Sequence, residues 1–77
     1  MQPIKKFTKT QQRVFDFIKE NGSITTLQAI VELGETRISA RIFELKERGV
    51  KISWEWINVS NRYNESRRVK KYFFDPL

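Results

Sequence analysis

The run Ser23-Ile-Thr-Thr-Leu-Gln-Ala-Ile-Val-Glu-Leu-Gly34-Glu-Thr-Arg-Ile-Ser-Ala-Arg-Ile-Phe-Glu-Leu-Lys-Glu-Arg-Gly49 decides the fold. Thr25 with Gln28 three residues later has the spacing of a capping box, in which each side chain satisfies a backbone N–H of the other residue. Leu27, Ile30, Val31 and Leu33 then supply the apolar side of a helix that Gly34 ends. A further helix is predicted from about Thr36 to Arg48, because Ile38, Ile42 and Leu45 recur at i, i+4, i+7 and share one stripe. Gly49 closes it, with Lys46 and Arg48 in the last turn, where cations suit the carbonyl end of the helix. Only Gly34-Glu35 separates the two helices, which forces a steep crossing.

Toward the N-terminus the same logic repeats. Thr8 and Gln11 again have capping-box spacing, so a helix starts near Thr8 or Thr10. Val14, Phe15 and Ile18 recur at helical spacing, and Asn21-Gly22 stops the helix in a conformation both residues tolerate. Ser23-Ile24 reads as a short extended link. Beyond Gly49 the period changes to 2: Val50, Ile52, Trp54 and Trp56 alternate with Lys51, Ser53 and Glu55, as in a half-buried strand. Ser60 to Arg67 is polar and turn-like, and Val69 to Phe74 forms a second strand. The class is therefore α+β, three helices plus a C-terminal β-hairpin. The first helix covers the apolar stripes of the other two, and the hairpin closes the open side with its tryptophans. This is the plan of a winged helix-turn-helix, read as one domain over residues 1–77, with residues 1–8 as a flexible basic arm.

Composition narrows the chemistry. The 77 residues suffice for one small domain and not two, and 39 % hydrophobic with 13 % aromatic residues is enough to fold. With no Cys and no His, a disulfide framework, a thiolate nucleophile, a Cys-based zinc site and the commonest general base are all excluded. No apolar run is long enough to span a membrane. Met1 to Thr10 is basic with no apolar stretch behind it, so it is not a secretory signal, and the cytoplasm follows by elimination. Glu44 and Glu47 are expected to face water, and Asp16 and Glu20 stand one turn apart with no third group beside them. No catalytic constellation and no cofactor site emerges.

The formal charge is +6 and is unevenly spread. Lys5, Lys6, Lys9 and Arg13 open the chain without an acid, whereas Asp16, Glu20, Glu32 and Glu35 outweigh Lys19 across the middle. Arg37, Arg41, Lys46 and Arg48 exceed Glu44 and Glu47 in the third helix. The hairpin carries Lys51, Arg62, Arg67, Arg68, Lys70 and Lys71 against Glu55, Glu65 and Asp75. Such a chain suits a polyanionic partner: nucleic acid, or less often an anionic membrane surface.

The block from Ser23 to Gly34, followed by Thr36 to Leu45 and Gly49, resembles a family of short winged helix-turn-helix proteins common in bacteriophages and bacteria. The resemblance spans roughly residues 10 to 75 and is most specific in the two central helices. It departs at Glu35, where such turns usually carry an aliphatic residue. It implies sequence-directed binding of double-stranded DNA by a small transcriptional regulator or phage accessory factor, in the host cytoplasm if phage-encoded. With no heptad and no extra helix, a monomer or a weak dimer on DNA is expected. Such folds also serve as protein-interaction modules, and the acidic middle with Phe43 is the surface that alternative would use.

Within that plan the outer side of the third helix carries Thr36, Arg37, Ser39, Ala40, Phe43 and Lys46, with Arg41 at its edge. The small side chains of Thr36, Ser39 and Ala40 permit close approach to a groove. Arg37 is the candidate for a bidentate guanine contact. Arg41 reads as a phosphate clamp or as an ion-pair partner of Glu44. Phe43 reads as packing beneath the hairpin or as a thymine-methyl contact. Asn61, Arg62, Arg67 and Arg68 at the wing tip, with Lys70 behind them, are candidates for the sugar-phosphate backbone, or for an ordinary charged loop. Lys5, Lys6 and Lys9 read as a phosphate-contacting arm or a frayed terminus. Trp54 and Trp56 with Tyr72 and Phe74 read as the core face of the hairpin or as a stacking platform for single-stranded bases.

Overall fold

The computed structural model describes residues 7–76. Its elements run α1 (Lys9–Asn21), β1 (Ile24–Thr25), α2 (Thr26–Leu33), α3 (Ile38–Glu47), β2 (Ile52–Ser60) and β3 (Ser66–Phe74). Both capping boxes form. Gln11 N–H donates to Thr8 Oγ1 at 3.2 Å while Thr8 N–H donates to Gln11 Oε1 at 3.0 Å. At α2 the corresponding bonds between Thr25 and Gln28 are 3.1 and 3.0 Å. Two orphan amides are thereby satisfied at each helix start, which fixes where α1 and α2 begin.

The turn between α2 and α3 is longer than two residues. Gly34 takes the left-handed conformation (φ 67°) that a side chain would resist. Glu35 then folds back, and its Oε2 accepts the backbone N–H of Arg37 at 2.8 Å. That bond offers the backbone an alternative to the helix. It leaves Thr36 in the turn and Arg37 as the N-cap of α3, so the helix begins at Ile38 and not at Thr36.

Antiparallel β2 and β3 pair from Ile52↔Phe74 through Trp54↔Tyr72 and Trp56↔Lys70 to Ser60↔Ser66. The link at Ile24-Thr25 joins them as a third strand, opposite Tyr72 and Lys71, giving the order β1-β3-β2. The core combines Val14 and Ile18 of α1, Ile24, Ala29, Ile38, Ile42 and Leu45 of α3, Ile52 and Tyr72. Rings extend it outward: Phe7 lies 5.3 Å from Phe15, and Phe15 lies 5.1 Å from Phe74, centroid to centroid. Phe7 and Thr8, within the stretch read as an arm, are thus packed and capped. Lys5 and Lys6 lie outside the described residues, and Lys9 is the exposed first residue of α1.

Three expectations about apolar residues are corrected. In α2, Leu27, Ile30 and Val31 are exposed; Ala29 is the buried residue and Leu33 is half-buried. Helical geometry explains it: with Ala29 facing the sheet, Leu33 returns to nearly the same direction, while Leu27 and Val31 point to the far side. Trp54 and Trp56 are 44 % and 48 % exposed instead of forming a core face. Ile52, Tyr72 and Phe74 at the root of the ribbon cover the helices, but the ribbon outruns them, and the molecule measures 54 × 27 × 20 Å. Phe43 is 61 % exposed and does not pack beneath the hairpin.

Candidate nucleic-acid interface

With Ile38, Ile42 and Leu45 turned into the core, the opposite side of α3 must face out. There Ser39, Phe43 and Lys46 are exposed, Ala40 is half-buried, and the preceding Thr36 and Arg37 continue the exposed surface. Arg37 and Lys46 make no side-chain ion pair among the described residues. Arg37 does not cap α3 with its own side chain, and the amide at the helix start is taken by the Glu35 carboxylate, which leaves the Arg37 guanidinium free to face out. The surface therefore combines two available cations, small residues that permit close contact, and one aromatic ring.

Arg41 behaves differently. Its Nη2 lies 2.9 Å from Glu44 Oε2 and its Nη1 3.9 Å from Glu35 Oε1, while its Nε is buried without a hydrogen-bond partner. The ion pair is the reading that the structure realises; the guanidinium is turned toward the protein. Glu44, expected to face water, is drawn in with it. The buried Gln11 donates its Nε2–H to Glu44 Oε1 at 2.7 Å. That hydrogen bond foremost, with the charges of Arg41 and Arg48 adding to it against partial desolvation, holds the Glu44 carboxyl below the usual carboxylate range. A relay results: Gln11 caps α1, holds Glu44, and through Arg41 reaches Glu35, whose carboxylate positions the amide of Arg37. The capping spacing revealed one end of Gln11; its bond across to α3 left no local sequence signal.

The wing is organised by Asn61, whose Oδ1 accepts the N–H groups of Tyr63 at 2.8 Å and Glu65 at 3.1 Å. Asn64 takes a left-handed φ of 65° to complete the turn. The pleat then separates the wing cations. Arg67 shares one face with Lys71, which pairs with Glu55 at 3.6 Å. Arg68 and Lys70 share the other face with Trp54 and Trp56. Arg67 also approaches Glu65 at 3.6 Å, but both side chains are more than half exposed, so the pair contributes little. Arg62 at the tip stands 5.6 Å from the exposed Tyr63 ring. Of the ten residues singled out for DNA, Thr36, Arg37, Ser39, Ala40 and Lys46 thus assemble at α3. Arg62, Arg67, Arg68 and Lys70 lie along the wing, and Arg41 serves the scaffold.

Among the described residues no helix is long and apolar enough to cross a membrane, and no group of three or more metal-binding side chains is present. A family model described as a winged helix-turn-helix domain matches residues 9–76. No curated protein and no solved structure matches the chain. The family match runs from the first residue of α1 to beyond the end of β3, taking in the α2–α3 turn and the whole wing; the chain belongs to the winged helix-turn-helix domains, a family that binds DNA in general.

Proposed function

We propose that the protein binds double-stranded DNA with α3 in the major groove, as a small transcriptional regulator or phage accessory factor working in a bacterial cytoplasm. The observation that carries the reading is the exposed side of α3, where Arg37 and Lys46 have no ion-pair partner among the described residues while Ile38, Ile42 and Leu45 anchor the helix from behind. Arg37, at the helix start, reads a guanine edge through its two parallel donors. Ala40 and Phe43 offer apolar contact to a thymine methyl, and Lys46 neutralises a phosphate. The segment 60–68 lies along the backbone through Arg62 and Arg67. Arg41 acts by holding the helix in place. One molecule engages each site, alone or as one of a weak pair formed on DNA.

The test begins with selection of bound sequences from a random duplex pool, followed by titrations at two salt concentrations. Arg37→Ala costs about 1–3 kcal/mol on the selected sequence and relaxes its preference at one position. Lys46→Ala weakens all duplexes alike and lowers the salt slope by about 1. Unchanged affinity and preference in both variants would overturn the reading.

A second reading is supported by the exposed Leu27, Ile30 and Val31 on α2, an apolar strip beside the acids Glu32 and Glu35. Under that reading the domain is a protein-interaction module without direct DNA contact. Amide shifts decide between the two: duplex DNA perturbs α3 and the wing in the first case and neither in the second.

A further inference from the structure

We infer that the Trp54–Trp56 face of the wing is a separate site for single-stranded DNA. Two exposed tryptophans on one side of a projecting ribbon are costly to leave in water, and the native surface of a small protein rarely groups large aromatics without use. Their rings lie 5.4 Å apart, centroid to centroid, and stand nearly perpendicular, at 84°. Two cations flank them. Lys70 Nζ lies 4.3 Å from the Trp54 centroid and 5.7 Å from that of Trp56, and the Arg68 guanidinium lies 5.0 Å from Trp56. Aromatic faces interleaved with cations are the composition that takes bases by stacking and phosphates by charge.

The geometry selects the single strand over the duplex. In a duplex the bases are paired and stacked about 3.4 Å apart, so none offers a free face to a side chain. Trp54 and Trp56 are two residues apart on one strand, which separates their attachment points by about 7 Å. The rings themselves lean together to 5.4 Å and stand perpendicular, so they cannot both extend one parallel stack and each can take only a base that has left the stack. Trp56 lies directly across from Lys70 in the β2–β3 register, so base and phosphate partners are fixed relative to one another before any strand arrives. On the other face of the ribbon Lys71 is paired with Glu55 and Arg67 with Glu65, whereas Arg68 and Lys70 have aromatic rings as neighbours and no carboxylate among the described residues. This site does not depend on the α3 reading and would survive its failure.

The chain contains only these two tryptophans, so its indole emission reports on this face alone. An oligothymidylate of about a dozen nucleotides is titrated into the full chain at low salt. Saturable quenching is expected, stronger than with a blunt duplex at equal nucleotide concentration. With a labelled oligothymidylate, Trp54→Ala and Trp56→Ala each weaken binding about 5- to 150-fold, while amide spectra show the core unchanged. Lys70→Ala, which keeps both indoles, weakens the quenching; Arg37→Ala, which impairs the α3 surface, leaves it as it was. Equal quenching by duplex, no quenching at all, or full binding by the folded tryptophan variants would each overturn the site. Stronger quenching by oligouridylate than by oligothymidylate would overturn its assignment to DNA.

Discussion

At Glu44 one carboxylate joins the first helix to the edge of α3. It accepts from Gln11 and from Arg41, and those contacts hold its carboxyl below the usual range. A carboxyl with a depressed folded-state pKa stabilises the fold at pH values above the unfolded carboxylate range and loses that contribution as the pH falls through the folded value. The parent protein is therefore expected to lose thermal stability more steeply than Glu44→Gln between roughly pH 6 and pH 3. Equal slopes in thermal melts across that window would remove Glu44 from the acid-sensitive set. Residue by residue, the sequence was legible where partners are close along the chain. Thr8–Gln11 and Thr25–Gln28 show themselves by spacing alone. Gln11–Glu44, 33 positions apart, does not, and neither does the use of Glu35 to hold the amide of Arg37, because both depend on how three segments meet in space.

Among the elements, the wing makes the sharpest local demand on its residues. Asn64 sits at a positive φ that a β-branched side chain opposes, while the carbonyl of Asn61 gathers two amides of the tip. Asn64→Gly is expected to be near neutral, and Asn64→Val to cost about 1–2 kcal/mol in chemical denaturation. Similar stabilities for both would show that the turn relaxes to another form. The first strand of the hairpin was legible from its switch to alternation and the second from its β-formers, although the second begins at Ser66 and not at Val69, because cross-strand pairing carries it through residues read as turn; the helices were legible from their caps and stripes. The facing of α2 was not. Its Leu27, Ile30 and Val31 are apolar, and only the placement of Ala29 against the core shows that they point the other way. The short strand at β1 was legible as an extended link near Ser23-Ile24, but its pairing with Tyr72 and Lys71 was not, because two residues carry no signal of which strand they join.

For the molecule as a whole, charge and length set the behaviour. Under the proposed duplex binding, the exposed cations of α3 and the wing with the basic N-terminal sequence are expected to meet about five to eight phosphates, so log affinity for duplex should fall against log salt with a slope of about −4.5 to −7. A slope near zero would exclude backbone contact as the main source of affinity. The basic ends and acidic middle that give this expectation are plain in the sequence. The reach of the ribbon is not, because alternating apolar residues imply a covering surface and carry no record of where that surface stops. The relay from Gln11 through Glu44 and Arg41 to Glu35 has an outcome of its own. Under the proposed duplex binding, a genetic screen for loss of operator recognition should return lesions at Gln11 and Glu44, side chains outside the proposed DNA surface, because α3 is bolted to the first helix and loses its alignment when that fastening is cut.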